Sequence, residues 1–308
     1  MCITYAPLRR GRRHVGARSE QDREVKSPSS SPSSNVLQPD EVLTMRRLFQ
    51  SPISGNDERL RIHFGGVDWE CTVVVNGILV GTHAGGFDPF FFDITDALTE
   101  SEKQEIIVSV EDPTDTGDQP VGKQTLNPFA IQYTAVAGIW QTVWLEPVPV
   151  ACIERVTTST NIAEGSVTVI CHISNASDNM SLALTCSADG SLVTQIKCPI
   201  SQDKIEIILN ISDLRLWCPD DPFLYDLQLQ IIDTNGSVID QVDSYFGARE
   251  ITCEPDKSGH HRLFLNNEPV FHLGLLDQGW WPEGLFTAPT DEAPVSYTHL
   301  TLPTNREV

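Results

Sequence analysis

Helix-period apolar patterns are almost missing from this chain; what recurs is two-residue alternation in short runs broken by turns, which restricts the fold to sandwiches or barrels of β-strands. RLRIHF, residues 59–64, alternates polar and apolar side chains as a half-buried strand does. CTVVVNGILVG sets Asn76-Gly77 between two β-branched runs. Asn and Gly both accept the positive φ of a type I′ turn, so this stretch predicts a hairpin. A Gly-rich turn at Gly85-Gly86, the run FFFDIT and a strand over residues 104–112 follow, with residues 96–103 the one short helical candidate.

A Pro/Gly-rich passage, DPTDTGDQPVGKQTLNPF, then interrupts the strands. GIWQTVWLEPV at 138–148 restores alternation, with Ile139, Gln141, Val143 and Leu145 on one face and Trp140, Thr142 and Trp144 on the other, both faces expected to be covered. Pro147 and Pro149 mark a linker, because proline has no backbone donor to continue a ladder. Residues 150–250 repeat the texture at the size of one immunoglobulin-like sandwich. Its clearest strands are SVTVICHIS, MSLALTCSA, DKIEIILNI, FLYDLQLQIID and SVIDQVDSYF, the last entered through a turn at DTNG. Beyond Arg249, HRLFLNNEPVFHLGLLD predicts a hairpin turning at Asn266-Asn267 and leading into a buried strand. GWWPEG ends it.

Charge excludes one class of partner. Of 21 Lys/Arg and 42 Asp/Glu, residues 51–308 hold twelve and thirty-seven, a surface that repels phosphate backbones, so nucleic-acid binding is not expected. No run approaches the roughly 18 apolar residues of a membrane helix, and no membrane partner is expected. Eight cysteines show neither C-x-x-C nor a Cys/His cluster, so no structural metal is indicated and reduced, buried thiols are favoured. The opening residues have no apolar core of a secretory signal, which favours a cytoplasmic location. Four N-x-S sequons, at Asn175, Asn179, Asn210 and Asn235, matter only for an exported chain.

The order of pieces carries a resemblance. FGGVDWECTVVVNG at 64–77, HAGGFDPFFFDIT at 83–95, DPTDTGDQPVGKQ at 112–124, GIWQTVWLEPV at 138–148, LWCPDDPFLYDL at 216–227, YFGARE at 245–250 and GLLDQGWWPEGLFTAPTDEA at 274–293 together resemble the non-catalytic front of glycoside hydrolase family 2, which includes β-galactosidases, β-glucuronidases and β-mannosidases. The resemblance implies an all-β chain: a jelly-roll, galactose-binding-like domain over 45–149, an immunoglobulin-like sandwich over 150–250, and over 251–294 the start of a TIM barrel. Residues 1–44, which combine an arginine cluster with KSPSSSPSS, cannot bury enough apolar surface to offset their ordering entropy and are expected to be disordered or non-native. Residues 295–308, VSYTHLTLPTNREV, look like translated adapter text.

The resemblance also implies a site. Groups at the C-terminal ends of barrel strands line the active face, which would place Asp277, Gln278, Trp280 and Trp281 at its mouth. From the 112–124 loop, Asp115, Asp118, Lys123 and Gln124 are candidates to reach it. The bland alternatives are that both tryptophans fill space beside the immunoglobulin-like domain and that the loop is a solvated crossover. Retaining hydrolysis needs two carboxyl groups about 5–5.5 Å apart, which in this family are glutamates of later barrel strands. A barrel takes about 250 residues, and only 47 follow from Arg262 onward, so no catalytic residue, metal or cofactor is assigned. Three functions stay open, in order: a piece of a retaining β-glycosidase, inactive alone, whose parent binds carbohydrate; a stand-alone carbohydrate-binding module; and a structural β-sandwich protein. The sugar and the oligomeric state stay open.

Overall fold

The computed structural model describes residues 4–6, 22–26, 37–53, 55, 57–272, 274, 276, 278–281, 284–290, 292 and 293. These fall into two compact units. One takes the described residues between 13 and 147 together with those from Gly274 onward, and the other those up to residue 12 together with 148–272.

β1 (Thr4–Ala6) belongs to the second unit, where it pairs antiparallel to a later strand. The first unit is a jelly-roll-type sandwich. Its strands are β2 (Asp22–Lys26), β3 (Val42–Phe49), β4 (Glu58–Phe64), β5 (Val67–Asp68), β6 (Glu70–Val75), β7 (Ile78–Ala84), β8 (Phe90–Asp93), β9 (Gln104–Glu111), β10 (Gln124–Thr125), β11 (Tyr133–Thr134), β12 (Gly138–Ile139) and β13 (Val143–Pro149). A five-stranded sheet runs β2-β3-β9-β6-β7 and a three-stranded one runs β13-β4-β8, with β12-β5 and β10-β11 as short extra pairs. Period-two alternation builds the core between the sheets: Ile106, Val108 and Val110 of β9 and Val73 and Val75 of β6 are buried, as are Leu60, Ile62 and Phe64 of β4. Each such side chain contributes about 1.5–3 kcal/mol by leaving water. The Asn76-Gly77 turn forms as expected, with φ of 49° and 82° and Val75 opposite Ile78.

Four stretches depart from expectation. Within residues 1–44, β1 and β2 are strands and β3 already opens at Val42; the unpaired backbone groups of a sheet edge accept any extended segment, which is what β2 does along β3. The helical candidate at 96–103 reduces to one 3-10 turn, Thr95–Ala97. The expected single strand at 138–148 breaks at 140–142, where the N–H groups of Trp140 and Gln141 both turn to the carbonyl of Gly66 and leave Gln141 and Thr142 exposed. The buried strand expected after the Asn266-Asn267 hairpin is not formed among the described residues: Phe271 and Leu276 are each 86% exposed. Among the described residues no neighbouring strand covers them.

The second unit is an immunoglobulin-like sandwich of β14 (Cys152–Asn161), β15 (Ser166–Ser174), β16 (Ser181–Ala188), β17 (Ser191–Pro199), β18 (Lys204–Asn210), β19 (Tyr225–Ile232) and β20 (Val238–Phe246). The sheets run β1-β14-β15-β18 and β17-β16-β19-β20. Alternate residues meet between them, Val167, Val169 and Cys171 from one sheet, Leu184, Leu229 and Val242 from the other. Buried Asp240 of β20 accepts the N–H of Ile153 of β14 at 2.8 Å, a charge-assisted tie between the sheets. Trp217 and Tyr225 pack in this unit: Trp217 N–H donates to Ala248, Arg249 lies over the Trp217 ring at 4.7 Å, and Tyr225 stacks on Phe246 at 5.1 Å. A small sheet of β21 (Ile251–Pro255), β22 (His261–Leu265) and β23 (Glu268–Pro269) follows, its hairpin turning at Asn266 and Asn267 with φ of 52° and 68°.

Seven cysteines among the described residues are free thiols, and Cys71, Cys152, Cys171 and Cys186 are buried. No helix among the described residues is long and apolar enough to cross a membrane.

Candidate functional site

The 112–134 loop leaves β9 and returns to the jelly-roll unit as two short parallel strands, β10 beside β11, with Gln124 opposite Tyr133. Its anchors are polar and buried. Asp112, 4% exposed, accepts the Thr114 N–H at 2.8 Å and so caps the first turn of the loop. Gln124, 6% exposed, accepts the Val136 N–H through Oε1 at 2.6 Å and donates through Nε2 to Asp68 at 3.5 Å. Asp68 and Asp112 lie close enough for their charges to interact. Burial first, and then the charge of Asp112, push the Asp68 carboxyl up to about 6, while the Gln124 hydrogen bond acts in the other direction. Burial likewise raises Asp112.

This anchoring sorts the loop candidates. Gln124 is a buried brace. Asp115 turns back into its own loop, accepting from the Thr125 hydroxyl and, at 3.2 Å, from Leu126 N–H, and the Thr125 bond holds its carboxyl below the ordinary range. Asp118 is exposed, as is Lys123. Lys123 sits at φ 65° and its carbonyl accepts the Tyr133 N–H at 2.8 Å, so the loop crosses itself there and carries the Lys123 and Tyr133 side chains to one place.

Residues 274–293 meet that place. Gln278 Oε1 accepts from the Tyr133 hydroxyl at 2.6 Å and from Lys123 Nζ at 3.4 Å. Trp280 stacks on Tyr133, centroids 4.4 Å apart and planes at 12°. Trp281 lies in a tight turn in which it and Leu285 exchange both backbone hydrogen bonds, at 2.7 and 3.0 Å. That turn puts Phe286 edge-on to Trp280 and beside Trp140 at 5.2 Å, and the Thr287 hydroxyl donates to the Trp140 carbonyl at 3.1 Å. Asp277 lies outside the described residues.

Five aromatic side chains are thus continuous in this unit: Tyr133, Trp280, Phe286, Trp140 and Phe87. Both candidate tryptophans are half-buried. Of the residues singled out from sequence, the structure brings together Lys123, Gln278 and Trp280; it sets Trp281 in the neighbouring turn and keeps Asp115 and Gln124 apart. Tyr133 and Phe286 were missed. Neither lies in a stretch with an apolar period, Tyr133 opening the two-residue β11 and Phe286 following a tight turn; the available signal was one aromatic, Phe286, within the quoted terminal stretch. Phe129 and Ile131, beside Tyr133, are 81% and 74% exposed.

The arrangement offers a lysine ammonium and a glutamine amide at the surface with one edge of an aromatic cluster beneath them, a set able to hold hydroxyl groups and an apolar ring face together. The coupled carboxylates in this unit, Asp68 and Asp112, are sealed from solvent.

Two family models match the chain in succession. One, described as glycosyl hydrolase 2 galactose-binding domain-like, matches residues 34–139, and one described as glycosyl hydrolases family 2 matches residues 152–249. A β-galactosidase of Thermoanaerobacter pseudethanolicus is 26% identical over 225 residues, covering 71% of this chain and 29% of the relative. A β-glucuronidase of Bacteroides fragilis is 28% identical over 240 residues, covering 71% of this chain and 32% of the relative. The chain therefore spans less than a third of the length of these relatives. Among solved structures, a β-glycosidase from Bacteroides vulgatus superposes with a TM-score of 0.60 at 22% identity, over 77% of this chain and 29% of that one, a likeness of fold.

Proposed function

The chain belongs to glycoside hydrolase family 2, and from that premise we propose that it supplies the accessory front of a retaining β-glycosidase, positioning carbohydrate while releasing no sugar by itself. The observation that carries this reading is the succession of the galactose-binding-like and immunoglobulin-like sandwiches in family order, with a lysine, a glutamine and a tyrosine gathered where residues 274–293 return to the first sandwich. In this reading Lys123 and Gln278 donate and accept hydrogen bonds to sugar hydroxyls, and the exposed edge of the Trp280–Tyr133 stack borders the ring. The relatives' names cover both galactosides and glucuronides, so the substrate class is β-glycosides. Residues 251–294 are proposed as the lead into a catalytic barrel.

Hydrolysis by the described residues is not part of the proposal. It requires two carboxyl groups held about 5–5.5 Å apart and open to substrate, whereas Asp68 and Asp112 are 5% and 4% exposed. Among the described residues there is also no strand–helix repeat to hold another pair. Incubating the purified chain with nitrophenyl β-galactoside, β-glucuronide and β-mannoside is the test. No chromophore above the blank is expected, and turnover abolished by substituting residues of this chain would overturn the assignment. Titration with the same sugars, followed by amide NMR, is expected to move Lys123, Tyr133 and Gln278; shifts confined to the other sandwich would refute the placement.

A further inference from the structure

The alternation of β3 puts Leu43, Met45, Arg47 and Phe49 on one side of the strand, and the register fixes which side. Leu43 is opposite Val110, Met45 opposite Val108 and Arg47 opposite Ile106, and residues directly opposite in an antiparallel pair share a face. Ile106, Val108 and Val110 are core residues at 7%, 4% and 0% exposure. Arg47 therefore stands on the core-facing side of β3, although the residue itself is exposed. Its neighbour Arg46, on the outward face, pairs with Glu105 across the strands. Arg47 forms no ion pair among the described residues, although acids outnumber bases two to one in the chain.

Beside Arg47 the two sheets do not close. A cavity of about 330 Å³ lies between β3 and β9 on one side and β4 and β13 on the other, at the low end of the roughly 300–1,000 Å³ typical of small-molecule sites. Its wall includes Phe49, Ile62, Ile106, Val108, Val143 and Leu145, none of which offers a polar side-chain atom. Arg47, Gln141 and Thr142, all exposed, stand among its lining residues and give it a wet, cationic mouth. Sugars are poor occupants of such a wall, because their hydroxyls would be buried without partners. An acyl chain is a good one, since its methylenes restore the contacts the lining lacks. The guanidinium at the mouth selects a carboxylate end, which it can hold by two parallel hydrogen bonds.

We propose that this inter-sheet cavity of the jelly-roll unit binds an amphipathic monoanion, a straight-chain carboxylic acid with its chain between the sheets and its carboxylate on Arg47. This site shares Trp140 with the aromatic cluster but neither Lys123 nor Gln278, and it does not depend on the glycosidase reading.

Calorimetric titration of the full chain with octanoate, decanoate and dodecanoate, each below its micelle concentration, tests it. Affinity is expected to rise by up to about fourfold per added methylene until the cavity is full. Arg47→Glu, at an exposed position that leaves the fold intact, is expected to weaken dodecanoate about tenfold or more and to leave dodecanol unchanged. Met45→Trp, which fills the space from the half-buried side, is expected to abolish both, with circular dichroism reporting whether the sandwich still folds. Equal binding of dodecanoate and dodecanol, or an Arg47→Glu chain that binds dodecanoate as tightly as the parent, overturns the proposal. So does a chain that binds no acid but sediments as a dimer dispersed by Met45→Trp, because then a second copy fills the gap.

Discussion

Tyr133 and Trp280 stack face to face at 4.4 Å, and the Tyr133 hydroxyl at the same time donates to Gln278 two residues earlier. One loop residue thus holds the 274–293 segment by both its ring and its oxygen. An aromatic pair of this geometry contributes about 0.5–1.5 kcal/mol beyond its buried area. Trp280→Ala is expected to free the segment, seen as faster proteolytic cleavage between residues 274 and 293 with the sandwich melting unchanged. Tyr133→Phe keeps the stack and loses only the hydroxyl, so cleavage is expected to stay near the parent rate. If Trp280→Ala cleaves no faster, the stack does not hold the segment.

The buried pair Asp68 and Asp112 makes the stability of the jelly-roll unit depend on pH. Burial raises Asp68 to about 6 in the folded chain, from the ordinary aspartate value of 3.8. Between about pH 4 and 6 the unfolded chain therefore gives up a proton that the folded chain keeps. Stability falls as pH rises through that window and levels off above it; below pH 4 both states are protonated and nothing is lost. Asp68→Asn removes the charge and retains an oxygen for Gln124. Its stability relative to the parent is expected to improve between pH 4 and pH 7 by on the order of 2–3 kcal/mol, since each pK unit is about 1.4 kcal/mol. Urea midpoints followed by tryptophan fluorescence at the two pH values give the difference, and equal differences at both would show that Asp68 is not the group responsible.

Most of the fold was legible because the words that identify the chain are parts that touch. The glycines of FGGVDW and HAGGFD and the tryptophan of GIWQ meet: Gly66 O accepts from Trp140 N–H, and Gly86 O accepts from Trp140 Nε1 at 2.7 Å. The same holds for LWCPDDPFLYDL and YFGARE, where Trp217 and Tyr225 meet Ala248 and Phe246. What stayed hidden lacked a period. β17 carries few fully covered side chains, so its alternation is weak, and the break at 140–142 is set by a carbonyl from elsewhere in the chain. The candidate site was half visible for that reason. Lys123, Gln278 and Trp280 stood in conspicuous stretches, but Tyr133, which joins them, sits in a two-residue strand too short to show a period, and nothing local showed that Gln124 would be buried against Asp68.

The hairpin turn offers a third test. Asn76 adopts φ 49° and its side chain reaches beyond the turn, donating to Ala97 O at 2.8 Å and to Gln104 Oε1 at 2.6 Å and accepting the Glu105 N–H at 2.9 Å. Asn76→Gly keeps the backbone conformation and loses the three bonds; Asn76→Ala loses both. Asn76→Gly is expected to cost about 1–3 kcal/mol and Asn76→Ala about 1 kcal/mol more, from chemical denaturation. Equal losses would mean that the side-chain bonds carry the whole effect.

Gly66 tests whether the same tryptophan links the sandwich to the candidate site. A Cβ at residue 66 would lie 2.8 Å from Trp140 Nε1 and 2.9 Å from Cε2, too close for the ring to stay. If the indole moves, its bond to Gly86 O is lost, and so is the ring against which Phe286 rests. Gly66→Ala is therefore expected to destabilise the unit by about 1–3 kcal/mol and also to speed cleavage within 274–293, as Trp280→Ala does. Gly55→Ala, where a Cβ would meet nothing within 4 Å, is the control and is expected to change neither. The two readouts separate the causes: a Gly66→Ala chain that melts earlier but is cleaved at the parent rate would mean that the Trp140 ring supports only the core, and that residues 284–287 are held by their other contacts, among them Trp280 and Phe87.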